Sequence, residues 1–148
     1  MTREEILDFY LRWAWVKLAK LYNSEAERRG ITLSIGYALL SIEKEGTPST
    51  KLGPRMGMES TSLSRTLKGM EEKGLIERKP NPADGRSVLV FLTPFGIEKR
   101  RDAKAAVIGF NQQVFDRFNP SELETFFKVI TGIETMLQEN KLATQELK

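Results

Sequence analysis

From Glu4 to about Arg29 the chain carries neither glycine nor proline, and its apolar residues are too many for one helical stripe. Ile6, Leu7, Phe9, Tyr10, Leu11, Trp13, Trp15, Val16, Leu18, Leu21 and Tyr22 spread around more than one side. A helix apolar on more than one side is expected to be buried on more than one side. Gly30 ends it. Thr32 is placed to cap a second helix, with Ile35, Leu39 and Ile42 recurring at i, i+4 and i+7 as its core stripe. Glu45-Gly46-Thr47-Pro48 breaks the chain, and Ser49 or Thr50 can cap a short third helix. Gly57 makes a turn into a fourth helix from about Glu59 to Lys73, stopped by Gly74.

Two strand-like runs follow, Leu75 to Lys79 and Val88 to Leu92, joined by a loop with the turn signals Asn81-Pro82 and Asp84-Gly85. This predicts a hairpin. Thr93-Pro94 opens a fifth helix, with threonine as N-cap and proline at N1, where a missing N–H costs nothing. It can run to Phe118. Asn119-Pro120-Ser121-Glu122 is close to a capping box and opens a sixth helix, with Leu123, Phe126, Phe127, Ile130, Ile133 and Leu137 as its apolar stripe. The residues from Thr144 to Lys148 read as a frayed tail.

The order predicts a mainly α protein with a small β-hairpin wing. A short helix, a glycine turn and a polar-faced helix followed directly by a hairpin is the outline of a winged helix-turn-helix. The expected organisation is a single domain over 1–148, with a winged core at 32–93 and flanking helices at 1–30 and 94–143.

Composition narrows the chemistry. A chain of 148 residues, 40% hydrophobic and 29% charged, is the size and balance of one globular domain. Its longest apolar run, Val88 to Leu92, is strand-sized and far short of a bilayer span. The opening Met1-Thr2-Arg3-Glu4-Glu5 is too acidic for a signal peptide, so a cytoplasmic protein with no membrane partner is expected. There is no cysteine and no histidine. Thiol catalysis, disulfides, zinc ribbons and histidine-based acid–base or metal chemistry are therefore excluded. Glu4-Glu5 and Glu71-Glu72 are sequence neighbours, which on a helix point about 100° apart and form no dyad. No catalytic residue, metal site or cofactor is expected.

The net charge of +3 is concentrated. Between Lys51 and Val90 lie eight basic residues and five acidic ones, while the rest of the chain carries fifteen of each sign. Such a local surplus marks either a polyanion-binding face or chance asymmetry of a solvated surface. On a helical wheel the fourth helix puts Leu63, Leu67 and Met70 on one side. Thr61, Ser62, Arg65, Lys68, Gly69 and Glu72 fall on the other. Small hydroxyl residues in a first turn let a helix end enter the major groove of DNA. An arginine one turn on can pair with guanine O6 and N7, and the free N–H groups of the first turn suit a phosphate. The plain alternative is an ordinary amphipathic helix. In the hairpin loop, Asp84-Gly85-Arg86 places an arginine at a turn tip, flanked by Arg78 and Lys79, as a finger suited to the minor groove. The alternative there is a surface turn with an exposed ion pair.

From Ser62 to Gly96 the sequence closely resembles the signature of the MarR family of bacterial transcriptional regulators. The shared elements are Leu63-x-Arg65, Gly74-Leu75-Ile76-x-Arg78, Asp84-x-Arg86 and Leu92-Thr93-x-x-Gly96. The resemblance implies a homodimer in which the first, fifth and sixth helices interlock, which would occupy Phe110, Phe115, Phe118, Phe126 and Phe127. The alternative is that these fill a monomer core. A two-fold dimer implies a pseudo-palindromic double-stranded DNA site with half-sites about one helical turn apart. The resemblance places Thr61, Ser62 and Arg65 against bases or phosphates in the major groove and Arg86 at the wing. It gives Asp84 the role of orienting the wing by ion pairing and Arg78 that of supporting it, with Lys68 and Lys79 as phosphate contacts. It further implies a repressor relieved by a small phenolic or anionic ligand, for which Tyr10, Trp13 and Tyr37 are pocket candidates or else core residues.

Two features depart from the family pattern. Gly53-Pro54 stands in the third helix, so that helix is expected to be short or to begin near Pro54. Peroxide sensing through cysteine, and metal sensing through His or Cys, are impossible in this chain. Two rivals remain: a winged-helix module that binds protein without DNA, and a transcriptional activator of the same fold.

Overall fold

The computed structural model describes residues 1–146, with side chains as far as Asn140. The end of the expected frayed tail, residues 147 and 148, lies outside the described residues, and helix continues through Thr144 to Glu146. The elements are α1 (Leu7–Arg28), α2 (Leu33–Ser41), β1 (Thr47–Pro48), α3 (Ser49–Met56), α4 (Ser60–Glu72), β2 (Ile76–Pro80), β3 (Val88–Leu92), α5 (Pro94–Arg117) and α6 (Pro120–Glu146). The chain divides into two compact units, Met1–Val107 and Ile108–Lys148.

In the first unit the core lies where the periodicity puts it. Ala38, Leu39, Ile42, Leu52, Met70, Leu75 and Val90 are fully enclosed in one cluster, to which Ala26, Ile31, Ile35, Leu63, Leu67 and Ile76 also belong. The Thr32 hydroxyl accepts the Ile35 N–H at 3.2 Å, so the expected cap of α2 forms. Gly57 and Gly74 hold φ of 63° and 72°, the left-handed conformation that ends α3 and turns the chain after α4.

Three local expectations need correction. The sheet has three strands, in the order β1-β3-β2. Beyond the β2–β3 hairpin, Thr47 and Pro48 pair with Val90 and Leu89. Two residues are too few to show an alternation, so nothing in the pattern announces this strand. Next, α3 is short, as one of its two expectations has it, but it does not begin near Pro54 and instead contains it. The proline stands in the last turn of an eight-residue helix, where only one intrahelical N–H is forgone before Gly57 ends it. Gly53 beside it is buried, and a Cβ there would come within 3.1 Å of the Met58 carbonyl. Finally, neither Ser49 nor Thr50 caps α3; Pro48 is the N-cap residue, and the Ser49 hydroxyl instead accepts the Val88 N–H at 3.3 Å.

The junction into α5 explains the Leu92-Thr93-x-x-Gly96 motif. The Thr93 hydroxyl accepts from the Gly96 N–H at 3.0 Å and donates to the Gly74 carbonyl at 2.6 Å. A Cβ on Gly96 would stand 2.0 Å from the Leu75 carbonyl oxygen, so only glycine lets the two backbones approach. The end of α4, the start of β2 and the start of α5 are tied at this point.

The long first helix differs from expectation in its start. It starts at Leu7, after a single 3-10 turn at Arg3–Glu5. It buries only Ala26 fully, leaving Leu7, Phe9, Tyr10, Leu11, Trp13, Trp15 and Val16 exposed. In the second unit, Asn119 caps α6 by accepting the Glu122 N–H at 2.9 Å. Its amide also donates to the Glu122 carboxylate, so the glutamate reaches back to the cap's side chain rather than to its backbone. Phe127 packs beside Phe115 and Phe126, with ring centroids at 6.4 and 5.6 Å. Among the described residues of this unit only Leu123 is buried, and Phe115, Phe118, Phe126, Phe127, Met136 and Leu137 remain exposed. Among the described residues no helix is long and apolar enough to cross a membrane.

Candidate nucleic-acid interface

Helices α3 and α4, joined through Gly57, form a helix-turn-helix, and α4 is its presented element. Leu63, Leu67 and Met70 are its buried side. Thr61, Ser62, Arg65 and Lys68 are all exposed, and Gly69 is half-buried. No side chain caps the N-terminus of α4, so the first-turn N–H groups and the two hydroxyls face outward together. That end of the helix is chemically suited to a phosphate oxygen, and Arg65 one turn on to a base edge.

The hairpin loop is held by its own side chains. Asn81 accepts the Ala83 N–H at 3.0 Å and donates to the Ser87 hydroxyl at 2.8 Å. Asp84 accepts the Arg86 N–H at 3.0 Å, and the Arg86 Nε stands 3.4 Å from the same oxygen. Two such side-chain turns fix a short loop without a large core beneath it. The Arg86 side chain is 92% exposed, so its charge is offered to solvent with a positioned base. Lys79 is also exposed, its ammonium 5.0 Å from the centre of the Phe91 ring.

Arg78 is placed differently from Arg65 and Arg86. Its Nε and Nη2 donate to the two carboxylate oxygens of Glu71 at 2.9 and 3.0 Å. This bidentate pair joins the last turn of α4 to β2. The Arg78 guanidinium holds the Glu71 carboxyl below the usual carboxylate range, and the carboxylate in turn raises the arginine. The partner Glu71 was missed by sequence reasoning, because its seven-residue separation from Arg78 crosses the turn at Gly74.

A cleft open to solvent lies apart from this face, between α1, α2 and the first half of α5. Tyr22, Ala26, Gly36, Tyr37, Ala103 and Ala106 are among its walls, with Glu25, Arg29 and Asp102 also lining it. Of the three expected pocket aromatics only Tyr37 lines it. Tyr10 and Trp13 stand on the exposed part of α1, and the Tyr10 hydroxyl donates to the Glu4 carbonyl at 2.9 Å. Trp15 stacks on Tyr37, with centroids 6.2 Å apart. Burial, and then the neighbouring Tyr22, push the Tyr37 phenol above its ordinary value, so it stays neutral at physiological pH. Among the described residues no cluster of acidic side chains is arranged to hold a metal ion.

A helix-turn-helix with an exposed polar reading face, backed by an antiparallel hairpin with an arginine near its tip, defines the winged helix-turn-helix class of DNA-binding proteins. Comparison with known proteins makes the class particular. Residues 38–88 match the MarR family model. The organic hydroperoxide resistance transcriptional regulator of Bacillus subtilis is 31% identical over 144 residues, covering 95% of both chains. The chain belongs to the MarR family and is a DNA-binding transcriptional regulator, not an enzyme. Mutant MarR from E. coli, solved in complex with operator DNA, is similar at a TM-score of 0.76 and 25% identity, over 86% of this chain and 92% of that one. CouR from Rhodococcus jostii RHA1, solved bound to p-coumaroyl-CoA, shares the fold at a TM-score of 0.79 and 21% identity, over 90% and 94%.

Proposed function

We propose that two copies of the chain form a cytoplasmic homodimer that represses transcription from a pseudo-palindromic operator and is released by a small molecule. The observation that carries the reading is the pairing of two exposed arginines on one folded core. Arg65 stands on the outer side of α4 and Arg86 near the tip of a braced wing. Thr61, Ser62 and Lys68 complete the helix face, and Asp84 sets the wing loop. The exposed aromatic residues of α1 and the exposed phenylalanines of the second unit support the dimer, since this much bare apolar surface asks for a partner. In this reading residues 32–93 are the DNA-binding core, and 1–30 and 94–143 are the dimerisation helices.

The cleft beside Tyr37 supports release by a ligand, as does the complex of CouR with a small molecule. The Bacillus subtilis relative is named for organic hydroperoxide resistance, but this chain has no thiol to oxidise. Thiol oxidation cannot be its signal, and in this reading a reversibly bound molecule takes that place.

The test is fluorescence anisotropy against the duplex upstream of the protein's own gene, beside a scrambled duplex, across a salt series. Tight binding to the upstream duplex alone, falling steeply with salt, is expected. Arg65→Ala combined with Arg86→Ala should abolish it. Absence of binding to any duplex at low salt would favour a module that binds protein. A reporter that falls when the gene is deleted would make the protein an activator.

A further inference from the structure

We propose that the cleft between α1, α2 and α5 takes an uncharged aromatic molecule and rejects anions, and that Gly36 keeps its space open. The proposal rests on reading this cleft as the effector site.

Arg29 is the one basic residue among those lining the cleft, and it is already engaged. Its Nη1 donates to Glu25 Oε2 at 2.9 Å and to the Glu25 carbonyl at 3.3 Å. Its Nε stands 3.8 Å from Asp102 Oδ2. Glu25 is also paired with Arg28, whose Nη1 stands 3.4 Å from Glu25 Oε1, so two guanidiniums and two carboxylates balance and the cleft offers no spare charge of either sign. An entering carboxylate must displace Glu25 from Arg29, or sit beside Asp102 with no cation to balance it. An ammonium gains little, because both carboxylates are occupied by Arg29 and the remaining walls are largely carbon. An uncharged ring meets neither penalty.

Small residues on three helices line the cleft: Ala26, Gly36, Ala103 and Ala106. Gly36 sits inside α2, where glycine weakens a helix relative to alanine. It has no positive φ to accommodate, and a Cβ built on it would meet nothing within 4 Å. Neither backbone conformation nor close packing calls for glycine here. What a side chain would do is occupy the cleft.

Isothermal titration of the full-length protein with 2-naphthol, 2-naphthoate and 2-naphthylmethylamine tests both halves. 2-Naphthol should bind at least tenfold tighter than either charged analogue. In the variant carrying Glu25→Gln and Asp102→Asn, Arg29 is released, and 2-naphthoate should gain at least tenfold while 2-naphthol changes little. Gly36→Leu should abolish 2-naphthol binding with helicity retained and the unliganded Tm not lowered. Should the double variant fold poorly, Glu25→Gln alone should still raise naphthoate affinity. Equal or tighter binding of either charged analogue to the wild type would overturn the proposal. So would no gain of naphthoate in the variants, binding that survives Gly36→Leu, or binding of none of the three. Adding the operator duplex separates the two readings. If 2-naphthol binds with this selectivity yet leaves DNA affinity unchanged, the effector reading fails and the charge selection stands.

Discussion

The winged core and the terminal helices treat their large apolar side chains differently. Leu39, Ile42, Leu52, Met70 and Val90 are fully enclosed within the first unit. Trp13 and Trp15 on α1, and Phe115, Phe126 and Phe127 in the second unit, keep about half their surface. Amphipathic periodicity is present in both regions, but only the core finds its complement within a few dozen residues of chain. The difference teaches that an apolar stripe states a demand for burial without stating who supplies it. In the core the chain supplies it; for the terminal helices the proposed supplier is a second copy.

The largest effect expected tests that contrast at the ends of the chain. Phe126→Glu would place one charge on each side of a two-fold interface, and every contact there counts twice. Dimer dissociation should rise at least about a thousandfold, or about 4 kcal/mol, by sedimentation equilibrium. An unchanged mass would show that this face is not the interface. Next in size is the core. Leu39→Ala should cost about 3 kcal/mol by urea unfolding, from lost transfer energy and the cavity left behind. A loss as small as that of an exposed substitution would erase the distinction between the regions.

On the reading face, Arg65→Ala should weaken operator binding about ten- to hundredfold and relax sequence preference, measured by anisotropy. The smallest effect is expected at the ion pair behind the wing. Because Arg78 is spent on Glu71, Arg78→Ala should lower DNA affinity modestly and leave the salt slope unchanged, whereas loss of a phosphate contact would reduce the slope by about one. The Glu71 carboxyl titrates below its ordinary value, so its contribution is present above the normal glutamate range and fades as pH falls through the lowered one. The stability of Glu71→Gln and wild type should therefore differ at neutral pH and converge in acid.

How much was legible follows the range of each interaction. The Thr32 and Asn119 caps, the Gly57 and Gly74 turns and the stripe of α2 are set by residues within one or two helical turns, and sequence spacing displays them. The Gly96 requirement also leaves a trace in the sequence, although its cause, the Leu75 carbonyl, lies 21 residues away. Strand β1 has too few residues to carry a pattern. Pro54 misleads, because its helix cost depends on how near the helix end it falls. The Glu71–Arg78 pair and the engagement of Arg29 by Asp102 bring together residues with no periodic relation.

The sequence by itself determined the order of helices, turns and hairpin, the family, the exclusion of thiol and histidine chemistry, and the residues on the outer side of α4. Those depend on local propensity and on which atoms are present at all. Tertiary structure alone decided that Arg78 is bound to Glu71 while Arg86 is left open to solvent. It decided too that Tyr37, without Tyr10 and Trp13, lines the cleft, and that the cleft's guanidinium is already neutralised. These outcomes depend on distances between elements far apart in the chain, and a charge or an aromatic ring acquires its role from the neighbours that packing brings to it.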